Sequence, residues 1–262
     1  MTAAEPVSEH PRGALVGISL KMYMGAAQTR TWVGSLRTEV EARAGSGNIE
    51  VFVLPSFPLL ESTSALLAGS AIRWGAQDLA PDPGGAQTGE VAGSVLRELG
   101  CTYVEVGHAE RRRLFGETDA MVVDKMQQAF TNDLTPVLCV GETTRGAASF
   151  AAECCIEQLQ TALAGDLEHD AVIAYEPVWA IGAAKPAEPE HVQEVCSALR
   201  THTANRAGRT RLLYGGSAGP GTFGDLSGSV DGLFLGRFAH TLANVVTVLD
   251  EIDYHSRCGT HD

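Results

Sequence analysis

Short apolar segments recur along the chain, and each is followed by a longer segment that contains helical periodicity or turn residues. The apolar segments span residues 14–19, 49–54, 71–76, 103–107, 135–140, 171–175, 211–214 and 232–235. Apolar residues at consecutive positions are typical of strands that are buried on both faces of a parallel sheet. Amphipathic helical periodicity is clear over residues 31–43, 120–130, 150–164 and 189–206. The pattern therefore predicts eight strands that alternate with helices.

Eight β/α units in about 250 residues predict an α/β fold with a closed (β/α)8 barrel. The competing fold is a doubly wound open sheet, which usually carries a G-x-G-x-x-G turn after its first strand. The first apolar segment is followed by S-L-K-M-Y-M-G instead. Because no linker interrupts the pattern, we interpret residues 1–262 as one domain, with residues 1–13 as a polar N-terminal extension.

The composition of the chain argues against several classes of partner and location. The net charge is −13, so nucleic acid, which needs a basic surface, is not an expected partner. No apolar segment approaches the ~20 residues that span a bilayer, and none near the start is typical of a signal peptide. The six cysteines show no metal-ligand spacing. We expect free thiols, no metal, no organic cofactor, no membrane association and a cytoplasmic protein.

Polar residues follow the predicted strands, at the end of a barrel where active sites lie. Lys21 follows the first strand, His108 the fourth and Glu176 the sixth. A carboxylate in apolar surroundings suits the removal of a weakly acidic C–H proton. A His at the start of a helix is expected to be neutral and to donate a hydrogen bond to a substrate oxygen. The alternatives are a structural carboxylate paired with Arg, a structural His and a solvated Lys.

Two glycine turns follow the seventh and eighth strands. The first contains Gly215, Gly216 and Ser217, and the second contains Gly236 and Arg237. Barrels bind phosphate at these positions through backbone N–H groups, and glycine lets the phosphate approach the backbone closely. Arg237 either adds a charge-assisted contact to the phosphate or points outward with only its backbone N–H used.

Together these segments resemble the triosephosphate isomerase family over nearly the whole chain. The resemblance implies a single-domain TIM barrel with a cofactor-independent isomerase activity, in which Glu176 is the base, His108 is a neutral acid and Lys21 is the third catalytic residue. The motifs that carry it are K-M at 21–22, G-A-Q at 75–77, T-G-E-V at 88–91, G-H-A-E-R-R at 107–112, F-G-E-T-D at 115–119, C-V-G-E-T at 139–143, A-Y-E-P-V-W-A-I-G at 174–182 and L-Y-G-G-S at 213–217.

The resemblance also implies the surroundings of these three residues. Residues 177–187 would form a mobile lid, and Gly182 would bind phosphate together with Ser217 and the turn at Gly236. Glu110 and Cys139 would support the catalytic residues. The family forms dimers, so the resemblance implies a homodimer in which the loop 77–90, with Thr88 on it, inserts into the neighbouring subunit.

Several positions depart from the family's usual pattern, and four of them bear on the substrate. Ser19, which we expect to bind substrate, stands in place of an asparagine, Ala109 in place of a serine, Pro186 lies in the lid and Arg237 replaces a glycine. Smaller residues at 19 and 109 leave space for one more hydroxymethyl group. This pattern looks like the erythrulose-phosphate isomerase branch, which interconverts L-erythrulose 1-phosphate and D-erythrulose 4-phosphate.

Three alternatives to the four-carbon substrate stay open at this point. The first is a triosephosphate isomerase that interconverts dihydroxyacetone phosphate and glyceraldehyde 3-phosphate. The second is a barrel that binds sugar phosphates without isomerase activity. The third is a Schiff-base aldolase that uses Lys21. The sequence does not identify a pathway.

Overall fold

The computed structural model describes residues 13–43, 49–183, 186–226 and 228–258. Residues 1–12 of the expected N-terminal extension therefore lie outside the described residues. The strands pair in parallel in sequence order, and the last strand pairs with the first, which confirms the predicted (β/α)8 barrel. The strands are β1 (Ala14–Ser19), β2 (Ile49–Leu54), β3 (Arg73–Ala76), β4 (Tyr103–Val106), β5 (Thr135–Val140), β6 (Ala171–Tyr175), β7 (Thr210–Tyr214) and β8 (Gly232–Leu235).

Strand bounds follow the apolar segments closely. Five of the eight predicted strands begin and end where the sequence pattern placed them. The third begins later than predicted, at Arg73, and the seventh begins one residue earlier, at Thr210. The fourth ends at Val106 because Gly107 has a φ of 74°, which turns the backbone out of the extended conformation.

Helices cover the outside of the barrel. The predicted helix 31–43 begins earlier, at Ala26 after the N-cap Gly25, and the predicted helix 189–206 ends at Thr203. The helices are α1 (Ala26–Ala42), α2 (Leu60–Leu67), α3 (Gly93–Glu98), α4 (Ala109–Phe115), α5 (Asp119–Thr131), α6 (Ala148–Leu163), α7 (Pro189–Thr203), α8 (Thr222–Leu226) and α9 (Leu242–Cys258). Among the described residues, none of these helices has the length and apolar character needed to cross a bilayer.

Strand alternation builds two apolar cores, one on each side of the barrel wall. On β1, Leu15 packs in the barrel interior, whereas Val16 and Ile18 pack against the helices. The interior core also contains Phe52, Leu54, Val137, Cys139, Val172, Ala174, Leu213 and Phe234. Because both faces of the strands are buried, the strands are apolar at nearly every position, as the sequence pattern indicated.

A buried ion network fixes the helices that follow β4. The Lys125 ammonium on α5 lies 2.6 Å from Asp78 Oδ1 and 2.5 Å from Glu117 Oε2, and its side chain is 1% exposed. Arg111 on α4 contacts the same two carboxylates, with Nε 2.7 Å from Asp78 Oδ2. The network therefore links α4, α5 and the segment after β3 beneath the loops at the carboxyl ends of the strands.

Candidate active site

Lys21 lies two residues beyond β1, in a backbone conformation that few side chains adopt. Its φ of 49° lies in the left-handed region, which is strained for a residue other than glycine. Hydrogen bonds to its carbonyl oxygen from Gln77 Nε2 at 3.1 Å and Ser56 Oγ at 2.9 Å hold the turn. The Lys21 ammonium lies 2.8 Å from Glu110 Oε1 and 3.2 Å from His108 Nε2.

His108 forms the N-cap of α4 and presents one ring nitrogen to the site. Its Nδ1 accepts a hydrogen bond from the backbone N–H of Glu110 at 3.0 Å. A ring nitrogen that accepts carries no proton, so the proton of a neutral imidazole lies on Nε2. Nε2 lies 3.2 Å from Glu176 Oε2. This geometry agrees with the expectation that His108 donates a hydrogen bond into the site.

Glu176 follows β6, and its buried carboxylate lies directly over the first glycine turn. A Cβ atom at position 215 would lie 2.5 Å from Glu176 Oε1, so the carboxylate needs Gly215 beneath it. Glu176 Oε2 lies 3.2 Å from His108 Nε2, but this contact lacks hydrogen-bond geometry, and Oε2 has no hydrogen-bond partner among the described residues. The lone pairs of this oxygen are therefore available to a bound ligand.

Charges around His108 act on its protonation in opposite directions. Burial lowers the pKa of His108, but the carboxylates of Glu176 and Glu105 raise it by more, to about 9. Burial also raises the pKa of the Glu105 carboxyl group, so Glu105 competes for the same proton. Since the Glu110 amide donates to Nδ1, we infer that His108 is neutral. Nitrogen-15 chemical shifts of an imidazolium ring at neutral pH would contradict this inference.

Lys21 is held as a cation by its carboxylate neighbours. Burial lowers the pKa of Lys21, but the hydrogen bond to Glu110 and the charges of Glu176 and Glu105 raise it above its ordinary value. A Schiff-base aldolase requires a neutral lysine amine, so this arrangement disfavours that alternative. For Glu110, burial raises the pKa, and the Lys21 hydrogen bond and charge lower it by more.

Glu105 is a residue of the site that the sequence reasoning missed. It lies on β4 inside the barrel, where Ser19 Oγ donates a hydrogen bond to Glu105 Oε2 at 2.8 Å. Its other oxygen, Oε1, lies 4.0 Å from His108 Nε2. The signal in the sequence is a charged residue within the apolar segment Y-V-E-V, at a position that strand alternation directs inward. Cys139 lies in the same interior, and burial raises the pKa of its thiol.

The first glycine turn packs closely against neighbouring backbone. A Cβ atom at Gly216 would lie 2.6 Å from the Tyr214 hydroxyl oxygen. Ser217 has a φ of 58°, and its Oγ donates a hydrogen bond to the Ala180 carbonyl at 2.7 Å. The turn is therefore joined to the segment that follows Glu176.

The remaining expected phosphate residues lie at the carboxyl ends of β6 and β8. Gly236 follows β8, and a Cβ atom there would lie 3.9 Å from Lys21 Cε. Arg237 is exposed at the start of the short 3-10 helix Arg237–His240. Gly182, with a φ of 73°, is exposed in the segment after β6. Which of these residues contact a phosphate stays a prediction.

Both ends of the expected lid are anchored by hydrogen bonds. At its start, Trp179 Nε1 donates to Glu142 Oε1 at 2.6 Å. At its end, the Ala187 N–H donates to the Tyr214 hydroxyl at 2.9 Å, and that hydroxyl donates to the Gly216 carbonyl. Residues 184 and 185 of the lid lie outside the described residues. The expected mobility of the lid stays a prediction.

A cavity of about 510 Å³ adjoins the Glu176 carboxylate. Its lining includes Gly107, Ala109, Cys139 and Ile181. Ala109 is the first residue of α4 and contributes only a methyl group to this wall. Glu176 therefore borders open space that Ala109 also lines, and Ala109 is the position where the family's usual residue is a serine.

The fold and the site define a member of the triosephosphate isomerase family. The sequence profile of that family, described as "Triosephosphate isomerase", matches residues 14–252. The barrel, the order of its strands and the convergence of Lys21, His108 and Glu176 agree with this assignment. The chain belongs to the triosephosphate isomerase family and is an isomerase.

Relatives within the family carry two different names. The chain is 48% identical over 248 residues to an L-erythrulose-1-phosphate isomerase of Pectobacterium atrosepticum, covering 92% of this chain and 96% of the relative. It is 38% identical over 249 residues to a triosephosphate isomerase of Thermus thermophilus, covering 91% and 98% of the two chains. A triosephosphate isomerase of Bordetella pertussis is 44% identical over 223 residues, which cover 83% of this chain and 86% of the relative.

Proposed function

We propose that this isomerase interconverts L-erythrulose 1-phosphate and D-erythrulose 4-phosphate through an enediol. The observation that carries the chemistry is the convergence on His108 Nε2, which lies 3.2 Å from both Glu176 Oε2 and Lys21 Nζ. A base, a hydrogen-bond donor and a cation thus surround one small space. The name of the relative that is 48% identical supports the four-carbon substrate.

Glu176 is the proton-transferring base in this proposal. Its carboxylate removes the proton from carbon 3 of L-erythrulose 1-phosphate, and the electron pair of that C–H bond forms the C2–C3 double bond of the enediol. The carbonyl oxygen on carbon 2 gains a proton as the enediol forms. Return of a proton to carbon 2, together with loss of the hydroxyl proton from the oxygen on carbon 3, then leaves the carbonyl at carbon 3. The partnerless Oε2 of Glu176 supports this role.

His108 and Lys21 stabilise the charge that develops on the substrate oxygens. A neutral imidazole with its proton on Nε2 donates a hydrogen bond to the carbonyl oxygen as it becomes negative. The Lys21 ammonium attracts the phosphorylated substrate into a protein whose net charge is −13. The proposed chemistry requires no metal or organic cofactor, because the side chains supply both acid and base.

The phosphate lies at the glycine turns that follow β7 and β8. Gly215, Gly216 and Ser217 follow β7, and Gly236 and Arg237 follow β8, at the two strand ends where barrels hold phosphate. Gly182 reaches the phosphate from the lid. Glu110 and Cys139 support Lys21 and Glu176, Glu110 through its 2.8 Å contact with the ammonium.

Triosephosphate isomerase activity is the second candidate. The relatives from Thermus thermophilus and Bordetella pertussis, at 38% and 44% identity, carry that name. The two candidates share the base, the donor and the cation, and they differ in the group attached to the reacting carbon. A barrel that binds sugar phosphate without turnover is the lesser alternative, and the convergence at His108 Nε2 counts against it.

Turnover of the two substrates by one preparation separates these candidates. We expect L-erythrulose 1-phosphate to react with a kcat/KM at least ~10-fold higher than that of dihydroxyacetone phosphate, since one misfitting group in a pocket typically costs about 1–3 kcal/mol. A higher kcat/KM for dihydroxyacetone phosphate would establish the triose candidate instead. Turnover of neither substrate would leave only the binding alternative.

The assembly in this proposal is a homodimer that forms through the loop 77–90. Residues 82–90 of this loop, including Thr88, are exposed on the isolated chain, as is Met22 in the turn after β1. A single-chain mass by sedimentation equilibrium at micromolar concentration would contradict the dimer. Cytoplasmic location is part of the same proposal, and the free thiols of Cys101, Cys139, Cys154, Cys155 and Cys196 support it.

A further inference from the structure

A carboxylate lies in the interior of the barrel, where most side chains are apolar. Glu105 on β4 is 3% exposed, in an interior otherwise lined by residues such as Phe52, Val137 and Leu213. An ionised carboxylate in such a place costs several kcal/mol of desolvation, and an apolar side chain of similar size would fill the same space without that cost. Stability therefore does not explain the residue.

Ser19 holds one oxygen of this carboxylate across the barrel. Its Oγ donates to Glu105 Oε2 at 2.8 Å, which joins the end of β1 to β4. The Ser19 side chain is short and 2% exposed, so it contacts Glu105 and occupies less of the barrel interior than a longer side chain would. The pair leaves Oε1 of Glu105 directed toward the catalytic side chains.

The Glu105 oxygen that Ser19 does not contact, Oε1, lies at the edge of the proposed reaction centre. Glu105 Oε1 lies 4.0 Å from His108 Nε2, the same atom that is 3.2 Å from Glu176 Oε2 and 3.2 Å from Lys21 Nζ. A separation of 4.0 Å is too long for a direct hydrogen bond, so Glu105 Oε1 does not bind His108 and stays available to another donor. Because Oε1 is near His108 Nε2, which itself lies near Glu176, it is within reach of a substituent on the carbon that Glu176 deprotonates.

We propose that Glu105, held in place by Ser19, accepts a hydrogen bond from the terminal hydroxyl of the four-carbon substrate and so determines substrate length. This inference rests on the proposed function. Carbon 3 of L-erythrulose 1-phosphate carries a CH2OH group where the corresponding carbon of dihydroxyacetone phosphate carries hydrogen. The triose therefore leaves the carboxyl group without this donor.

An unpaired buried polar group is the usual basis of strong discrimination between such substrates. A site built to hydrogen-bond a substrate hydroxyl rejects the analogue without it by far more than an apolar pocket rejects a missing methylene. Burial also raises the pKa of the Glu105 carboxyl group, so bringing a polar partner to it is more favourable than at an exposed site. Glu105 is in this account a specificity-determining residue and does not transfer the reacting proton.

The competing explanation is that Glu105 only tunes His108. A residue that acts through His108 would affect every substrate, because the same imidazole serves the triose and the tetrulose. A residue that binds the terminal hydroxyl affects the tetrulose alone. The ratio of kcat/KM values for the two substrates therefore separates the two roles.

The test compares Glu105→Leu and Glu105→Gln with wild-type protein on both substrates. We expect Glu105→Leu to lower kcat/KM for L-erythrulose 1-phosphate by about 100-fold and to leave that for dihydroxyacetone phosphate within about 5-fold. Glu105→Gln keeps an acceptor oxygen and retains more of the preference. Tyr103→Phe, two residues earlier on the same strand, is the matched control and leaves the ratio unchanged. Equal losses on both substrates with Glu105→Leu would overturn the inference.

A substrate without the terminal hydroxyl tests the same contact in wild-type protein, where folding is not in question. We expect 4-deoxy-L-erythrulose 1-phosphate to react about 100-fold less efficiently than the natural tetrulose phosphate. Equal kcat/KM values for the two compounds would overturn the inference. A wild-type preference for the triose would instead overturn the proposed function, so the two failures are distinguishable.

Discussion

At the scale of single residues, the site depends on a close approach between Gly215 and the proposed base, Glu176. Glu176 Oε1 would lie 2.5 Å from a Cβ atom at Gly215. We expect Gly215→Ala to displace the carboxylate and to lower kcat at least ~10-fold, because displacements of about 1 Å in an active site can cost 100-fold in rate. Steady-state kinetics on L-erythrulose 1-phosphate measures the effect.

Gly34→Ala is the matched control for this substitution. A Cβ atom at Gly34 on α1 meets nothing within 4 Å, and alanine in place of glycine inside a helix stabilises by about 0.5–1 kcal/mol. The control should raise the melting temperature slightly and leave kcat unchanged. Wild-type kcat in the Gly215→Ala variant would show that the base does not need this approach.

Some residues of the site could be predicted from the sequence, and others could not. Lys21, His108 and Glu176 follow strands and stand in motifs, so their positions were predictable. Glu105 was missed because the residues near it are not its neighbours along β4. Ser19 lies on β1 and His108 lies beyond the end of β4, and only the closed barrel brings the three together. Local sequence therefore identifies residues at strand ends more readily than contacts across the barrel.

At the scale of elements, the Tyr214 hydroxyl joins β7 to the end of the lid. It accepts the Ala187 N–H at 2.9 Å and donates to the Gly216 carbonyl. We expect Tyr214→Phe to leave these two backbone groups unpaired, at a cost of about 1–3 kcal/mol. This would weaken the closure expected of residues 177–187, so kcat/KM should fall about 10-fold, as 1.4 kcal/mol corresponds to a factor of ten.

Tyr254→Phe on α9 is the control, since Tyr254 is 65% exposed and far less constrained. Its kcat/KM should equal that of wild-type protein. If Tyr214→Phe also keeps the wild-type value, the hydrogen bond to Ala187 does not contribute to substrate binding or turnover.

Strands were more predictable than helices for a physical reason. A strand buried on both faces is apolar throughout, so its bounds are visible in the sequence, as for β1 and β5. The helix α3 (Gly93–Glu98) has only six residues, which is too short for a helical period to be recognised. The helix α1 begins at Ala26, five residues before the predicted start, because its first turn carries polar residues such as Gln28 and Arg30.

At the scale of the whole molecule, the buried ion network stabilises the fold on which the site is built. Lys125 neutralises Asp78 and Glu117, and all three side chains are at most 5% exposed. We expect Lys125→Met to lower the free energy of unfolding by about 3–5 kcal/mol, because it removes the buried cation and leaves the two carboxylates with the partly exposed Arg111 alone. Urea denaturation at neutral pH measures this loss.

Arg209→Met is the control at the surface. Arg209 pairs with Glu50 at 3.4 Å, and both side chains are at least 41% exposed, so the loss should stay below about 1 kcal/mol. A similar loss for the two variants would show that the buried network contributes no more than an ordinary surface pair.

The proposed role of Glu176 is to exchange the proton on carbon 3 of a four-carbon ketose phosphate. Proton NMR of L-erythrulose 1-phosphate incubated with the enzyme in deuterium oxide tests this role. We expect deuterium at carbon 3 of L-erythrulose 1-phosphate and at carbon 3 of the D-erythrulose 4-phosphate formed, and a rate at least ~100-fold lower with Glu176→Gln. Absence of deuterium at these carbons with wild-type protein, or a Glu176→Gln variant that retains more than about a tenth of the wild-type rate, would contradict the account.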